Sequence, residues 1–156
     1  MKVAVAADHG GYELKQRLAA SLRDWGHEVL DLGAASYEGA DDYPDFALAV
    51  GRAVVDERAE RGVLVCGSGA GAAVAANKIR GIRAALAHDC YTAHQMVEHD
   101  DVNVCCLGAR VVGPELAIEV VRTFMGAKFS GEERHLRRLA KVTAMEKDQL
   151  RTPLTH

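Results

Sequence analysis

Short apolar runs alternate with helical patterns along the whole chain, and this alternation limits the fold more than any other feature. KVAVAA (2–7), HEVLDL (27–32), GVLVCG (62–67), RAALAH (83–88) and NVCCLG (103–108) are the strand-like runs. After the first, Leu14, Leu18, Leu22 and Trp25 repeat at helical spacing, and Gly26 is placed to stop that helix. Phe46, Ala49, Val50, Ala53 and Val54 mark a second helix; Leu116, Val120, Val121 and Phe124 mark a later one that opens at Gly113-Pro114. Residues 132–148 read as a final helix with Leu136, Leu139, Val142 and Met145 on one face. Five βα units of this kind predict an α/β three-layer sandwich. Its parallel sheet would be covered on both faces, with strand order 2-1-3-4-5 and an extra C-terminal helix.

The chain has 156 residues, enough for one domain, expected over 1–150, with a short polar tail at 151–156. Apolar residues make up 49% and charged residues 26%, the balance of a globular protein. A net charge of −3 leaves no global attraction for nucleic acid or an anionic membrane. No apolar stretch approaches the ~20 residues that cross a bilayer, and MKVAVAADHG lacks a signal-peptide pattern, which points to the cytoplasm. The cysteines Cys66, Cys90, Cys105 and Cys106 have no zinc-ribbon spacing and read as free thiols, with Cys105 and Cys106 as strand core.

In the 2-1-3-4-5 order the chain reverses direction between the first and third strands, and ligands bind beyond the carboxyl ends there. Those ends carry Asp8-His9-Gly10-Gly11 and Cys66-Gly67-Ser68-Gly69. Cys66 has two readings: a small buried residue ending a strand, or a base or nucleophile whose thiolate is favoured by glycine-loop N–H groups and a following helix end. The same loop reads as an anion site. Three rival motifs can be tested against it. A tyrosine-phosphatase loop needs an arginine where Ala72 stands, and a Walker loop needs Gly-Lys-Ser/Thr where Asn77-Lys78 stands. GSGAGA does fit a relaxed dinucleotide fingerprint with Asp89 as the ribose ligand, but on the third strand rather than the first.

Asp8-His9 reads as a turn or cap, or as substrate binding across from the cysteine loop. His94 and His99 are five residues apart and do not share a helical face, which argues against a metal pair. Arg134 and Arg138 do share one, and are either a phosphate clamp or a solvated basic face beside Glu132 and Glu133. Arg110 follows the fifth strand at the same sheet edge as Cys66.

AADHGGYELK, DDYPDFA, CGSGAGAAVAANK, GIRAAL, EHDDVN, LGARVVG and ERHLRR, in collinear order over roughly residues 2–147, resemble ribose-5-phosphate isomerase type B. That family includes allose-6-phosphate and galactose-6-phosphate isomerases. The resemblance implies metal-free, cofactor-free interconversion of ribose 5-phosphate and ribulose 5-phosphate through a cis-enediolate. Cys66 is then the base, the N–H groups of Gly67, Gly69, Ala70 and Gly71 hold the oxyanion, and Ser68 steadies hydroxyls or relays a proton. Asp8, His9 and Tyr43 match substrate-pocket residues, His99 matches the ring-opening residue, and Arg110, Arg134 and Arg138 match the phosphate clamp. Ala72 stands where a cysteine-lacking branch has glutamate. Asp100 replaces the usual asparagine, an added carboxylate that bears on which sugar is bound. The resemblance also implies a homodimer or tetramer with the active site at the subunit interface. Two alternatives stay open: an isomerase of another aldose phosphate (allose 6-phosphate or a four-carbon sugar phosphate), and a non-catalytic phospho-ligand or dinucleotide-binding module.

Overall fold

The computed structural model describes residues 1–148; the expected tail at 151–156 lies outside them. Its elements alternate as the sequence predicts. They are β1 (Lys2–Ala7), α1 (Tyr12–Asp24), β2 (Glu28–Asp31), α2 (Tyr43–Val55), β3 (Arg61–Cys66), α3 (Ala70–Ala76), β4 (Ala84–Leu86), α4 (Cys90–Asp100), β5 (Val104–Gly108), α5 (Pro114–Gly126) and α6 (Glu133–Asp148). Among these residues no helix is long and apolar enough to cross a membrane.

All strand pairs are parallel, but the order is 2-1-3-5-4, not the expected 2-1-3-4-5. Burial explains the exchange. Every residue of β5 (VCCLG) is buried, whereas β4 (AAL) is three residues long and only partly covered. A strand buried on both faces belongs inside a parallel sheet, and a short, weakly apolar one belongs at its edge. Cys105 and Cys106 are therefore core residues on opposite faces, and burial pushes the Cys105 thiol up to about 12.

The helices divide between the two faces. Leu14, Leu18 and Leu22 of α1, Met96 and Val97 of α4, and Val120, Val121 and Phe124 of α5 pack with Val3, Val5 and Cys105. On the other face Ala47, Val50 and Ala53 of α2 and Ala72 and Ala76 of α3 pack with Ala4, Leu64, Cys66 and Cys106. The second layer is built of smaller side chains, so α2 and α3 lie close to the sheet. In every βα unit the helix runs antiparallel to its strands, so helix starts gather at the carboxyl edge of the sheet and helix ends at the opposite edge.

One polar contact fixes the long loop between β2 and α2. Lys15 is fully buried; its Nζ donates to both carboxylate oxygens of Asp31 at 2.8 and 2.9 Å and to the Ala34 carbonyl at 3.0 Å. A buried ammonium needs such satisfaction. The bond ties the loop's first residues to α1, and its last residues then reach the carboxyl edge.

Candidate active site

The loops after β1, β3 and β5 converge at that edge. Asp8, Tyr43, Cys66, Gly67, Ser68, Gly71, Arg110 and Val111 line a cavity of about 320 Å³. Backbone packing brings them together. A Cβ on Gly10 would stand 2.9 Å from the Gly67 nitrogen, so the loops after β1 and β3 touch. Ala109 N–H donates to the Cys66 carbonyl at 2.9 Å and Arg110 N–H to the Gly67 carbonyl at 3.0 Å, which seats the loop after β5 against the glycines. The Arg110 guanidinium lies over Gly67, 3.5 Å from where a Cβ would be, and the Tyr43 ring covers Gly71.

Cys66 is 5% exposed, and its Sγ accepts the Gly69 N–H at 3.0 Å. Gly69 has φ +80°, a left-handed conformation that glycine adopts freely. That turn is what aims its N–H back at sulfur. Ser68 Oγ, more exposed, accepts the Ala70 N–H at 3.3 Å. On the β1 side Asp8 is buried, and burial pushes its carboxyl above the usual range. His9 and the N–H groups of Gly11 and Gly10 oppose that rise, and Asp41 adds to it. A cationic guanidinium, a thiol held by an N–H and a desolvated carboxyl thus face one small volume, enough for proton transfer on a bound anion.

A second cavity of about 350 Å³ shares Arg110 with it as a lining residue and is bounded by His9, Glu13, Arg17 and Tyr37 among others. Three residues at this edge went unnoticed in the sequence. Asp41 binds His9, Arg17 lines the second cavity, and His88 Nε2 accepts the Gly108 N–H at 2.9 Å. The acidic pair before Tyr43 is a signal for Asp41; Arg17 and His88 carry none.

The Ribose/Galactose Isomerase family model matches residues 3–142. The chain belongs to the ribose/galactose isomerase family. It is 42% identical to ribose-5-phosphate isomerase B of Escherichia coli over 93% of this chain and 96% of that protein. It is 40% identical to a putative sugar phosphate isomerase of Bacillus subtilis over 96% and 100%. Among solved structures, ribose-5-phosphate isomerase B of Clostridium thermocellum superposes with a TM-score of 0.93 at 44% identity, over 96% and 99% of the two chains. The Mycoplasma genitalium enzyme, solved with bound ribulose-5-phosphate, superposes at 0.89 and 38% identity, over 94% and 97%.

Not all the residues expected to act together in this family meet within one chain. His99 and Asp100 end α4, and an 11-residue helix is about 16 Å long, which puts them at the sheet edge opposite Cys66. His99 stacks on the buried His135 with ring centroids 4.2 Å apart, and His135 Nδ1 shares a 2.6 Å hydrogen bond with Ser130 Oγ. Asp100 and Arg138 line a separate cavity of about 360 Å³ with Leu139, Val142 and Met145. Arg134 pairs with Glu132 at 2.8 Å. Asp89 does not serve the glycine loop as a ribose ligand would. It caps α4, accepting the Thr92 N–H and hydroxyl at 2.7 Å each, and β5 stands between β4 and β3.

Proposed function

We propose that this chain is an aldose–ketose isomerase that interconverts ribose 5-phosphate and ribulose 5-phosphate, with residues 1–150 acting as one domain in the cytoplasm. The observation that carries the reading is the shared crevice of Cys66, Asp8 and Arg110 at the carboxyl edge of the sheet. Its relatives named for this reaction support the substrate.

In the reaction the Cys66 thiolate takes the proton from the second sugar carbon, leaving an enediolate, and returns it to the first carbon. Electron density moves from the C–H bond into the new C=C bond and onto the carbonyl oxygen. The N–H groups of Gly67 and Gly71 hold that oxygen, those of Gly69 and Ala70, which donate to Cys66 Sγ and Ser68 Oγ, complete the loop around it, and Ser68 relays the hydroxyl proton. Asp8, His9 and Tyr43 hold the sugar, Arg110 holds one side of the phosphate, and no metal or cofactor takes part.

His99, Arg134 and Arg138 complete the site from a second copy of the chain. Two features support this: they lie away from their own Cys66, and α6 leaves Leu136, Val142 and Met145 more than half exposed. Asp100 travels with Arg138 and would enter the partner's site beside the phosphate, which favours, as a second reading, an aldose phosphate of different length.

The test is incubation with ribose 5-phosphate in deuterated water, following ketose formation and exchange at the second carbon by NMR, with Cys66→Ala in parallel. Turnover that vanishes in the variant is the expected result. Full turnover by the variant refutes the base. No turnover by the parent, followed by turnover of allose 6-phosphate or a four-carbon aldose phosphate, would move the substrate; silence on all three would leave a phospho-ligand-binding module.

A further inference from the structure

We infer that Asp41 is a positioning residue that fixes His9 with its proton on Nδ1, so that Nε2 is the ring nitrogen presented to the substrate. The inference rests on the isomerase reading for the identity of that substrate, and on geometry for the rest. One carboxylate oxygen, Oδ1, accepts both the His9 main-chain N–H at 2.9 Å and the His9 Nδ1 at 2.7 Å. Two bonds from one residue to one oxygen orient the ring as well as the chain. The other oxygen, Oδ2, is buried with no partner among the described residues, so the charge of this carboxylate has His9 as its main outlet. The Tyr37 ring meets His9 edge-on, 6.2 Å between centroids, and bounds the imidazole on another side.

With Nδ1 occupied, a neutral imidazole carries its lone pair on Nε2, and a charged one donates from it. His9 borders the cavity that also holds Glu13, Arg17, Tyr37 and Arg110, and its neighbour Asp8 borders the cavity that holds Cys66. A defined Nε2 at the junction can take one sugar hydroxyl or phosphate oxygen in one orientation; a ring free to flip presents two nitrogens of opposite hydrogen-bonding character. Asp41 thus acts on substrate binding through His9, and the Lys15 contact that ties down the start of the loop supports it from behind.

The experiment uses ¹⁵N-histidine-labelled full-length protein, with ring-nitrogen shifts recorded at alkaline pH, and steady-state kinetics with ribose 5-phosphate. The expected result is Nδ1–H for His9 in the parent. Asp41→Ala should shift His9 to a majority of Nε2–H and raise KM about tenfold, as loss of one charge-assisted hydrogen bond does, with kcat within about twofold. Asp41→Asn, whose amide oxygen still accepts both bonds, should keep the tautomer and hold KM within about threefold. A parent His9 protonated on Nε2, an alanine variant with unchanged tautomer and KM, or an asparagine variant as impaired as alanine would each overturn the inference. Because the ring spectrum needs no turnover, failure of the parent to isomerise ribose 5-phosphate would fall on the function reading alone.

Discussion

A tight backbone contact behind the site lies at Gly108, the last residue of β5, and Gly108→Ala measures how much the cysteine loop depends on it. A Cβ there would lie 2.5 Å from the Ser68 carbonyl oxygen, 2.6 Å from its carbonyl carbon and 2.8 Å from its Cα. These are backbone atoms, so no rotamer relieves the clash. Restoring an ordinary contact of about 3.4 Å requires the strand and the loop to separate by about 0.9 Å. The loop is the softer partner, since β5 is buried and paired with β3 and β4 on both sides. The shift therefore falls on Ser68 and its neighbour Gly69, whose N–H donates to Cys66 Sγ.

Overpacking of this kind costs about 1–3 kcal/mol of stability, or about 2–12 °C in Tm for a domain of this size. A displacement near 1 Å in catalytic groups costs about a hundredfold in rate. The prediction is a Gly108→Ala protein that folds, melts a few degrees lower, and loses about a hundredfold in kcat/KM for ribose 5-phosphate. Thermal denaturation and a continuous ketose assay read the two effects. Gly113→Ala, where a Cβ would meet nothing within 4 Å among the described residues, is the control and should match the parent in activity. Activity of Gly108→Ala within threefold of the parent would show that the loop does not need β5 to hold its N–H groups, and the reasoning would fail.

The Asp8 carboxyl, raised by burial, binds its proton more tightly in the folded chain than the free value of 3.8. Its contribution to stability is complete below that value and is lost as pH rises through the folded value, so Asp8→Asn should raise Tm at pH 7 and leave it unchanged near pH 3. Cys105 and Cys106, both driven upward by burial, should resist iodoacetamide at pH 8 while Cys66 and Cys90 are alkylated, as peptide mass spectrometry would report; early labelling of the core pair would mean that the sheet opens. If the site is shared, mixing inactive Cys66→Ala with inactive His99→Asn under subunit exchange should restore about a quarter of parental activity, because half the dimers are mixed and each has one intact site. No recovery after confirmed exchange would refute a site shared between two chains.

Much of the fold can be read in the chain because each element has one dominant period. β1, β3 and β5 are mainly apolar runs of 5–6 residues, and α1, α2 and α5 carry apolar stripes, so their existence and direction follow. Strand order is a different kind of information. RAALAH and NVCCLG are both acceptable strands, and what exchanges them is that Arg83 and the three-residue β4 suit an edge, whereas the unbroken VCCLG needs cover on both faces. That contrast was present in the sequence, in the burial demand of each run and not in its periodicity. Asp41 illustrates the opposite case. Its role depends on a 32-residue separation closed by the loop's path, and a loop has no period from which a partner can be inferred.

The candidate site divides along the same physical line. Asp8, Cys66, Ser68 and Arg110 directly follow or end strands, so a parallel sheet must bring them to one edge whatever the details of packing. Tyr43 starts a helix, and helix starts share that edge. His99 ends a helix, and the antiparallel run of α4 carries it to the far edge as surely as β3 carries Cys66 to the near one. Residues at opposite ends of the same βα layer cannot meet within one chain without unfolding it. A reaction that uses both therefore needs two chains placed so that the far edge of one meets the near edge of the other. The exposed apolar side of α6, which begins beside His99, is where that contact is expected.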